Sequence, residues 1–285
     1  MTTTTPDVSP TAAGAGANAS DAARASAVRH GQAVASAERL STVARAMLDA
    51  VHGVIRDHRL TYPEFQAAKR WIMAVGESGE WPLFLDVFVE HVVEQVAADS
   101  QQGTVGSIEG PYYLPAQRRF PSVATLPMRD DEPGDPLVFS GQVRDLTGTP
   151  VPHAELDIWH NAADGFYSGF APHLPDGLFR GTITTDEQGR FEITTIKPAP
   201  YQLPMDGPTG HFVEAAGWHL WRPAHLHLMV RADGHRRITT QLYFDGGDYI
   251  DDDVARAVKD ELVLAPEPGP DGRLRVEYDF VLEGG

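Results

Sequence analysis

Leu137-Val-Phe-Ser-Gly-Gln-Val-Arg-Asp145, the turn Thr147-Gly148-Thr149-Pro150, and then Ala154-Glu-Leu-Asp-Ile-Trp-His160 decide the fold of this chain. Two runs rich in branched and aromatic residues flank a short Gly/Pro turn, which is the signature of neighbouring strands. The pattern continues outward. Leu178–Thr185, Arg190–Ile196, His225–Arg231, Ile238–Phe244 and Leu274–Leu282 read as further strands, with turns at Asp186-Glu187-Gln188-Gly189 and Ala232-Asp233-Gly234. No helical periodicity alternates with these runs, so the spacing predicts an antiparallel β-sandwich over residues 106–285 rather than a parallel α/β sheet. Lys197–Arg222 is long and rich in Pro and Gly, and long segments without regular structure in a compact domain are usually functional.

Residues 37–105 read differently. Val43, Met47, Val51 and Ile55 recur at helical spacing, and Leu48 and Val54 widen the stripe. Thr61 with Glu64 forms a capping-box pattern ahead of Phe65, Ala68, Ile72 and Val75, with Gly76 as the expected stop. A third helix is predicted from Trp81-Pro82 through Phe84, Phe88, Val92 and Val96. These amphipathic helices carry no cluster of catalytic residue types and read as scaffold and subunit interface. Residues 1–36 are dominated by Thr, Ala, Gly and Ser, too poor in large apolar side chains to offset ordering entropy, and are expected to be disordered.

The chain has 285 residues and a formal net charge of −17. That charge argues against binding nucleic acid or an anionic membrane surface, both of which call for clustered Lys and Arg. No apolar run approaches a membrane span, and no secretory signal is recognised, so a cytoplasmic protein is expected. There is no cysteine, which removes disulfides, thiolate ligands and cysteine nucleophiles.

His225-Leu226-His227 is the strongest local chemical signal. In a strand, residues i and i+2 share a face, so two imidazoles aim at one point as a chelating pair must. Two histidines do not complete a site. Asp157 or Asp164 would finish a two-His, one-carboxylate ferrous triad; Tyr167 and Tyr201 would supply phenolates, hard anionic ligands suited to a highly charged cation such as Fe(III).

The motifs resolve this choice through a resemblance. Gly141-Gln-Val-Arg-Asp, Gly148-Thr-Pro-Val, Asp157-Ile-Trp-His-Asn-Ala-Ala-Asp-Gly-Phe-Tyr167, Pro200-Tyr201, Arg222-Pro-Ala-His-Leu-His227 and Thr240-Gln241 together closely resemble the intradiol ring-cleavage dioxygenases, over about residues 41–265. Glu80-Trp-Pro-Leu, Glu109-Gly-Pro-Tyr-Tyr113 and Thr125-Leu-Pro-Met-Arg-Asp-Asp-Glu-Pro-Gly-Asp135 are most similar to the chlorocatechol branch of the catechol 1,2-dioxygenases.

The resemblance implies a β-sandwich with a helical linker domain that forms a homodimer, a phospholipid in an apolar tunnel at that interface, and one Fe(III) per subunit held by Tyr167, Tyr201, His225 and His227. It implies O2-dependent cleavage of catechol, chlorocatechols or methylcatechols to cis,cis-muconates. Tyr201 would leave the metal and take a substrate proton, while Arg222 and Gln241 would act on the ring's developing charge. Leu83, Asp86, Val87, Ile108, Pro111, Tyr112, Ala224 and Phe244 would contact the ring substituents. Two other readings compete: a hydroxyquinol 1,2-dioxygenase, and a metal-free transthyretin-like sandwich acting as a binding module.

Overall fold

The computed structural model describes residues 36–116 and 118–285. The disordered tail expected over residues 1–36 therefore falls, Ser36 apart, outside the described residues. Ser36 itself caps α1 (Ala37–Asp57), its hydroxyl accepting the Arg39 amide at 3.2 Å. In α2 (Tyr62–Glu77) the capping box forms as read: Thr61 Oγ1 accepts the Glu64 amide while the Glu64 carboxylate accepts the Thr61 amide at 2.7 Å. The helix stops later than Gly76. Glu80 N bonds Val75 O and Gly79 N bonds Gly76 O, a Schellman closure whose left-handed residue is Gly79 at φ 74°.

The single helix predicted from Trp81 is two, α3 (Trp81–Phe88) and α4 (Glu90–Ala98). The break is at Val89, φ −127° and ψ −37°. It turns α4 so that the Glu90 carboxylate accepts the Glu109 amide at 2.8 Å, tying the helical layer to the segment that enters the sandwich.

The strands are β1 (Arg119–Phe120), β2 (Val123–Thr125), β3 (Pro136–Asp145), β4 (Glu155–Trp159), β5 (Arg180–Thr184), β6 (Arg190–Ile196), β7 (Tyr201–Gln202), β8 (Trp221–Arg222), β9 (His225–Arg231), β10 (Ile238–Phe244), β11 (Val263–Leu264), β12 (Glu267–Pro268), β13 (Leu274–Glu277) and β14 (Phe280–Leu282). One sheet runs β1-β5-β4-β9-β10-β11 and the other β12-β13-β3-β6-β2, with β14 also on β3. The central ladders are antiparallel, as expected. The added pairs β1/β5, β10/β11, β13/β3, β14/β3 and β2/β6 are parallel, so both sheets are mixed. Parallel neighbours need long connections, which these distant segments supply.

Leu137, Phe139 and Val143 of β3 and Phe191 and Ile193 of β6 pack against Leu156, Ile158, Leu226, Leu228, Val230 and Leu242 of the facing sheet. Strand alternation thereby sends the odd-numbered residues of β9 to the opposite, outer face. The run Leu274–Leu282 is interrupted at Tyr278 and Asp279; Asp279 Oδ1 takes the Gln142 amide at 2.8 Å in place of a ladder bond. The Pro/Gly-rich segment contains regular structure: β7, then α5 (Pro208–Ala215), then β8. Glu80 Oε2 accepts the Thr209 amide at 2.8 Å and Trp71 Nε1 donates to Pro208 O at 2.9 Å, so α5 is held by the helical layer. Among the described residues, no helix is long and apolar enough to cross a membrane.

Candidate metal centre

The outer face of the β4-β9-β10 sheet carries the chemistry. His227 of β9 lies between Trp159 of β4 and Gln241 of β10, and His225 lies opposite Tyr243. The two tyrosines arrive from the connections. Tyr201 in β7 pairs with Arg222 in β8 through a two-residue ladder, and its ring centroid lies 5.7 Å from that of His225. Tyr167 follows β4 on a turn through Gly165, whose φ is 84°. A Cβ at Gly165 would approach Tyr201 Cβ to 3.1 Å, so this position needs glycine both for its backbone angle and for the passage of the second tyrosine.

The donor atoms converge. His225 Nε2 and His227 Nε2 are 3.0 Å apart, and Tyr167 Oη is 3.1 Å from His227 Nε2. The Tyr201 hydroxyl is fully buried near Tyr167 and Arg222 but makes no hydrogen bond of good geometry; its ring lies edge-on to that of Tyr167, centroids 5.4 Å apart. His225 Nδ1 faces Pro223 O at 2.7 Å. A carbonyl can only accept, so Nδ1 carries the proton and Nε2 presents a bare lone pair, the tautomer a metal requires.

These residues fit a cation. At the usual metal–imidazole distance of about 2.1 Å, donors at right angles around one ion are about 3.0 Å apart. Burial, reinforced by Arg222, pushes His225 down to about 3, and burial with His225 holds His227 well below the ordinary range, so both imidazoles are neutral. Burial, then the neighbouring Tyr201, pushes Tyr167 up; burial also pushes Tyr201 up, opposed by Arg222 and Tyr167. A buried phenol so disposed ionises when a highly charged cation compensates it, which inverts the local direction of the shift. The carboxylate alternative is not assembled. Asp157 bonds Tyr113 Oη at 3.1 Å and Asp164 pairs with His173 at 2.9 Å. Among the described residues, no group of three or more His, Asp or Glu is placed to hold a metal.

Arg222 and Gln241 reach the same point. Arg222 Nη1 is 3.4 Å from His225 Nε2 and Nη2 donates to Gln241 Oε1 at 3.0 Å. Gln241 Nε2 donates to Ile108 O at 2.8 Å and lies 3.3 Å from His227 Nδ1. Three neighbours were missed by sequence reasoning. Asp253 makes a bidentate pair with Arg222, both side chains 2% exposed. Nothing in Asp251-Asp252-Asp253 marks the last of the three. Trp159 stacks on His227 with centroids 4.7 Å apart, a consequence of strand register that local sequence does not carry. Arg180 donates to Tyr112 O and Ser168 O, bracing the segments on either side of Tyr167.

Leu83, Val87, Ile108 and Tyr112 pack in one cluster with Tyr167 and Tyr201, and Pro111 precedes Tyr112 on the same loop. Asp86 stands beside Val87 on α3; burial, then Glu90 and Glu109, pushes its carboxyl up to about 7. Ala224 and Phe244 are not brought to this cluster. Both pack in the other cluster, with Leu226 and Leu242 of the inter-sheet core.

Known proteins resemble this chain along most of its length. A family model described as "Catechol dioxygenase N terminus" matches residues 37–104, and one described as "Dioxygenase" matches residues 108–284. A chlorocatechol 1,2-dioxygenase of Rhodococcus opacus is 43% identical over 242 residues, covering 82% of this chain and 94% of that protein. Another, from Pseudomonas sp. strain P51, is 38% identical, covering 86% and 97%. The crystal structure of 3-chlorocatechol 1,2-dioxygenase from Rhodococcus opacus 1CP matches with a TM-score of 0.83 at 47% identity, covering 88% of this chain and all of that one.

Proposed function

Because the chain belongs to the catechol and chlorocatechol 1,2-dioxygenase branch of the intradiol dioxygenases, we propose that Tyr167, Tyr201, His225 and His227 hold one ferric ion per chain. The enzyme is an intradiol dioxygenase of catechols and chlorocatechols. The observation that carries the metal assignment is the convergence of His225 Nε2, at 3.0 Å, and Tyr167 Oη, at 3.1 Å, on His227 Nε2, with the buried Tyr201 ring beside that of Tyr167. When bound, ferric iron supplies the Lewis acidity that ionises a chelating catechol and makes its ring reactive toward O2.

The chain's own residues do the rest. Leu83, Val87, Ile108 and Tyr112 enclose the ring and exclude water. Tyr201, ionised while it holds the ferric ion, would take up a proton from one catechol hydroxyl as it gives way to the substrate. Arg222 Nη1, at the edge of His225, faces the negative charge that develops on the ring. Gln241 is fixed between Arg222 Nη2 and the Ile108 carbonyl and packs beside the His227 ring. Cleavage between the two hydroxyl-bearing carbons adds both atoms of O2 and gives a cis,cis-muconate.

Helices α1 to α4 form the dimer contact in this reading. Met47, Leu40, Met73 and Val96 are each at least 60% exposed, and so many exposed large apolar side chains on these helices support burial against a second copy. A phospholipid along the same face belongs to the proposal.

The test is the purified protein. Ferric tyrosinate absorbs in the visible, so iron-loaded protein is coloured; a zinc or ferrous site is not. Catechol should yield a muconate, and a yellow semialdehyde would refute intradiol cleavage. A steady-state panel of catechol, 3- and 4-substituted catechols and hydroxyquinol sets the branch: substituted rings at least comparable to catechol are expected, and hydroxyquinol ahead by about tenfold would move the chain to the hydroxyquinol reading.

A further inference from the structure

Arg222 is a buried guanidinium on a strand of two residues, β8, next to the proposed metal ligands. A buried cation there is costly unless an opposite charge pairs with it. Asp253 supplies that charge. Its Oδ1 accepts Arg222 Nε at 3.0 Å and its Oδ2 accepts Nη2 at 3.0 Å. The remaining Nη2 contacts go to Gln241 Oε1 at 3.0 Å and Tyr243 Oη at 3.3 Å. One edge of the guanidinium is thus fully engaged, and Nη1 is the nitrogen turned toward His225 Nε2.

The carboxylate is itself held. Asp253 Oδ1 accepts the Ala255 amide at 3.2 Å and Oδ2 the Ala257 amide at 3.1 Å, so the segment after Tyr249 folds around it. A fork held at two nitrogens by a carboxylate fixed at both oxygens has one orientation. Asp253 also borders a cavity of about 710 Å³ walled by Phe84, Phe88, Phe212 and Trp218. Removal of the Asp253 side chain would leave a carboxylate-sized space next to this cavity, which a small anion could fill.

We propose that Asp253 is the positioning residue of the active site: it neutralises Arg222 and aims Nη1 at the substrate ring. This rests on the ferric reading above. Asp253 touches neither substrate nor metal and acts through Arg222.

The experiment compares the full-length chain with Asp253→Asn, which is nearly isosteric, and Asp253→Ala, which leaves a carboxylate-sized space. For each, iron content, the visible absorption band, kcat and KM for catechol, and the melting temperature of the iron-free protein are measured, with and without sodium formate. Asp253→Asn should retain iron and the visible band while kcat falls about 10²-fold and KM stays within about threefold. Formate, but not neutral formamide, should raise both kcat of Asp253→Ala and the melting temperature of its iron-free form, saturably, and should do neither for wild type. The proposal is overturned if either variant keeps kcat within about threefold of wild type, if activity falls only in proportion to iron, or if formate restores nothing. A wild-type chain that takes up no iron and cleaves no catechol would refute the ferric reading instead, before any variant is compared.

Discussion

Tyr112 lies face to face with Tyr167, ring centroids 4.6 Å apart and planes 14° from parallel. A residue assigned to the substrate pocket is thereby packed directly on one assigned to the metal. Tyr112 also meets Tyr201 edge-on at 6.0 Å, so one side chain braces both phenols. Such ring pairs contribute about 0.5–1.5 kcal/mol beyond area burial. Tyr112→Phe should preserve the stack and leave kcat/KM for catechol within a fewfold of wild type. Tyr112→Ala should enlarge the pocket and change the ratio of kcat/KM between a substituted catechol and catechol by about 10-fold or more, the scale of 1–3 kcal/mol for one buried group. An unchanged ratio in the Ala variant would remove Tyr112 from the pocket wall.

Removal of a ligand should remove the metal. Tyr167→Phe deletes the oxygen that sits 3.1 Å from His227 Nε2 while keeping the ring stacked on Tyr112. His227→Ala deletes one of the two converging imidazoles. Both should lower iron content and abolish ring cleavage, with the visible band lost or displaced. A fully iron-loaded, fully active Tyr167→Phe protein would end the four-ligand assignment.

Asp86 should make stability and substrate binding depend on pH near neutrality. Its carboxyl stands at about 7 in the folded chain, against an ordinary value of 3.8, through burial and the adjacent Glu90 and Glu109. The folded state then holds a proton that the unfolded state has released. Stability is greatest below the unfolded value and falls as pH rises from about 4 to about 7. Asp86→Asn removes that loss, so its melting temperature relative to wild type should rise more at pH 8 than at pH 5. A pH dependence of KM centred near 7 should flatten in the same variant. Equal gains at both pH values would show that Asp86 is ionised throughout.

The exposed stripe of α1 should be an interface. Met47 is 65% exposed and Leu48 57%, on the same helix as Leu40 and Val51. Light scattering at micromolar concentration should give twice the chain mass of 31.0 kDa. The double variant Met47→Glu, Leu48→Glu should give the single mass with the visible band intact. A wild-type monomer would refute the dimer.

Much of the architecture is local and therefore legible from residues. The strands Arg190–Ile196, His225–Arg231 and Ile238–Phe244 have the bounds their composition predicts, and the Thr61–Glu64 cap forms as its spacing requires. Errors cluster where long-range contacts outweigh local pattern. The helix expected through Val89 breaks so that Glu90 can meet the Glu109 amide, and a segment expected to lack regular structure contains α5 because Glu80 and Trp71 hold its start.

His225 and His227 share a face because a strand repeats every two residues, and that follows from the sequence by itself. Which face they share does not. The outer side became the chemical one when Leu226, Leu228 and Val230 were taken by the second sheet, and Phe244 packs in that core. Spacing alone left carboxylates and phenols open as further ligands; the family motifs singled out Tyr167 and Tyr201, and the closure of two connections over β9 brought their rings together. Asp253 had no local mark at all. Its role exists because Arg222, buried beside two imidazoles, needs an opposite charge, and which of three consecutive aspartates reaches it is settled by the path of the chain after Tyr249. Periodicity is a property of neighbours in sequence and can be read there; convergence is a property of packing between residues far apart in the chain, and only the tertiary structure decides it.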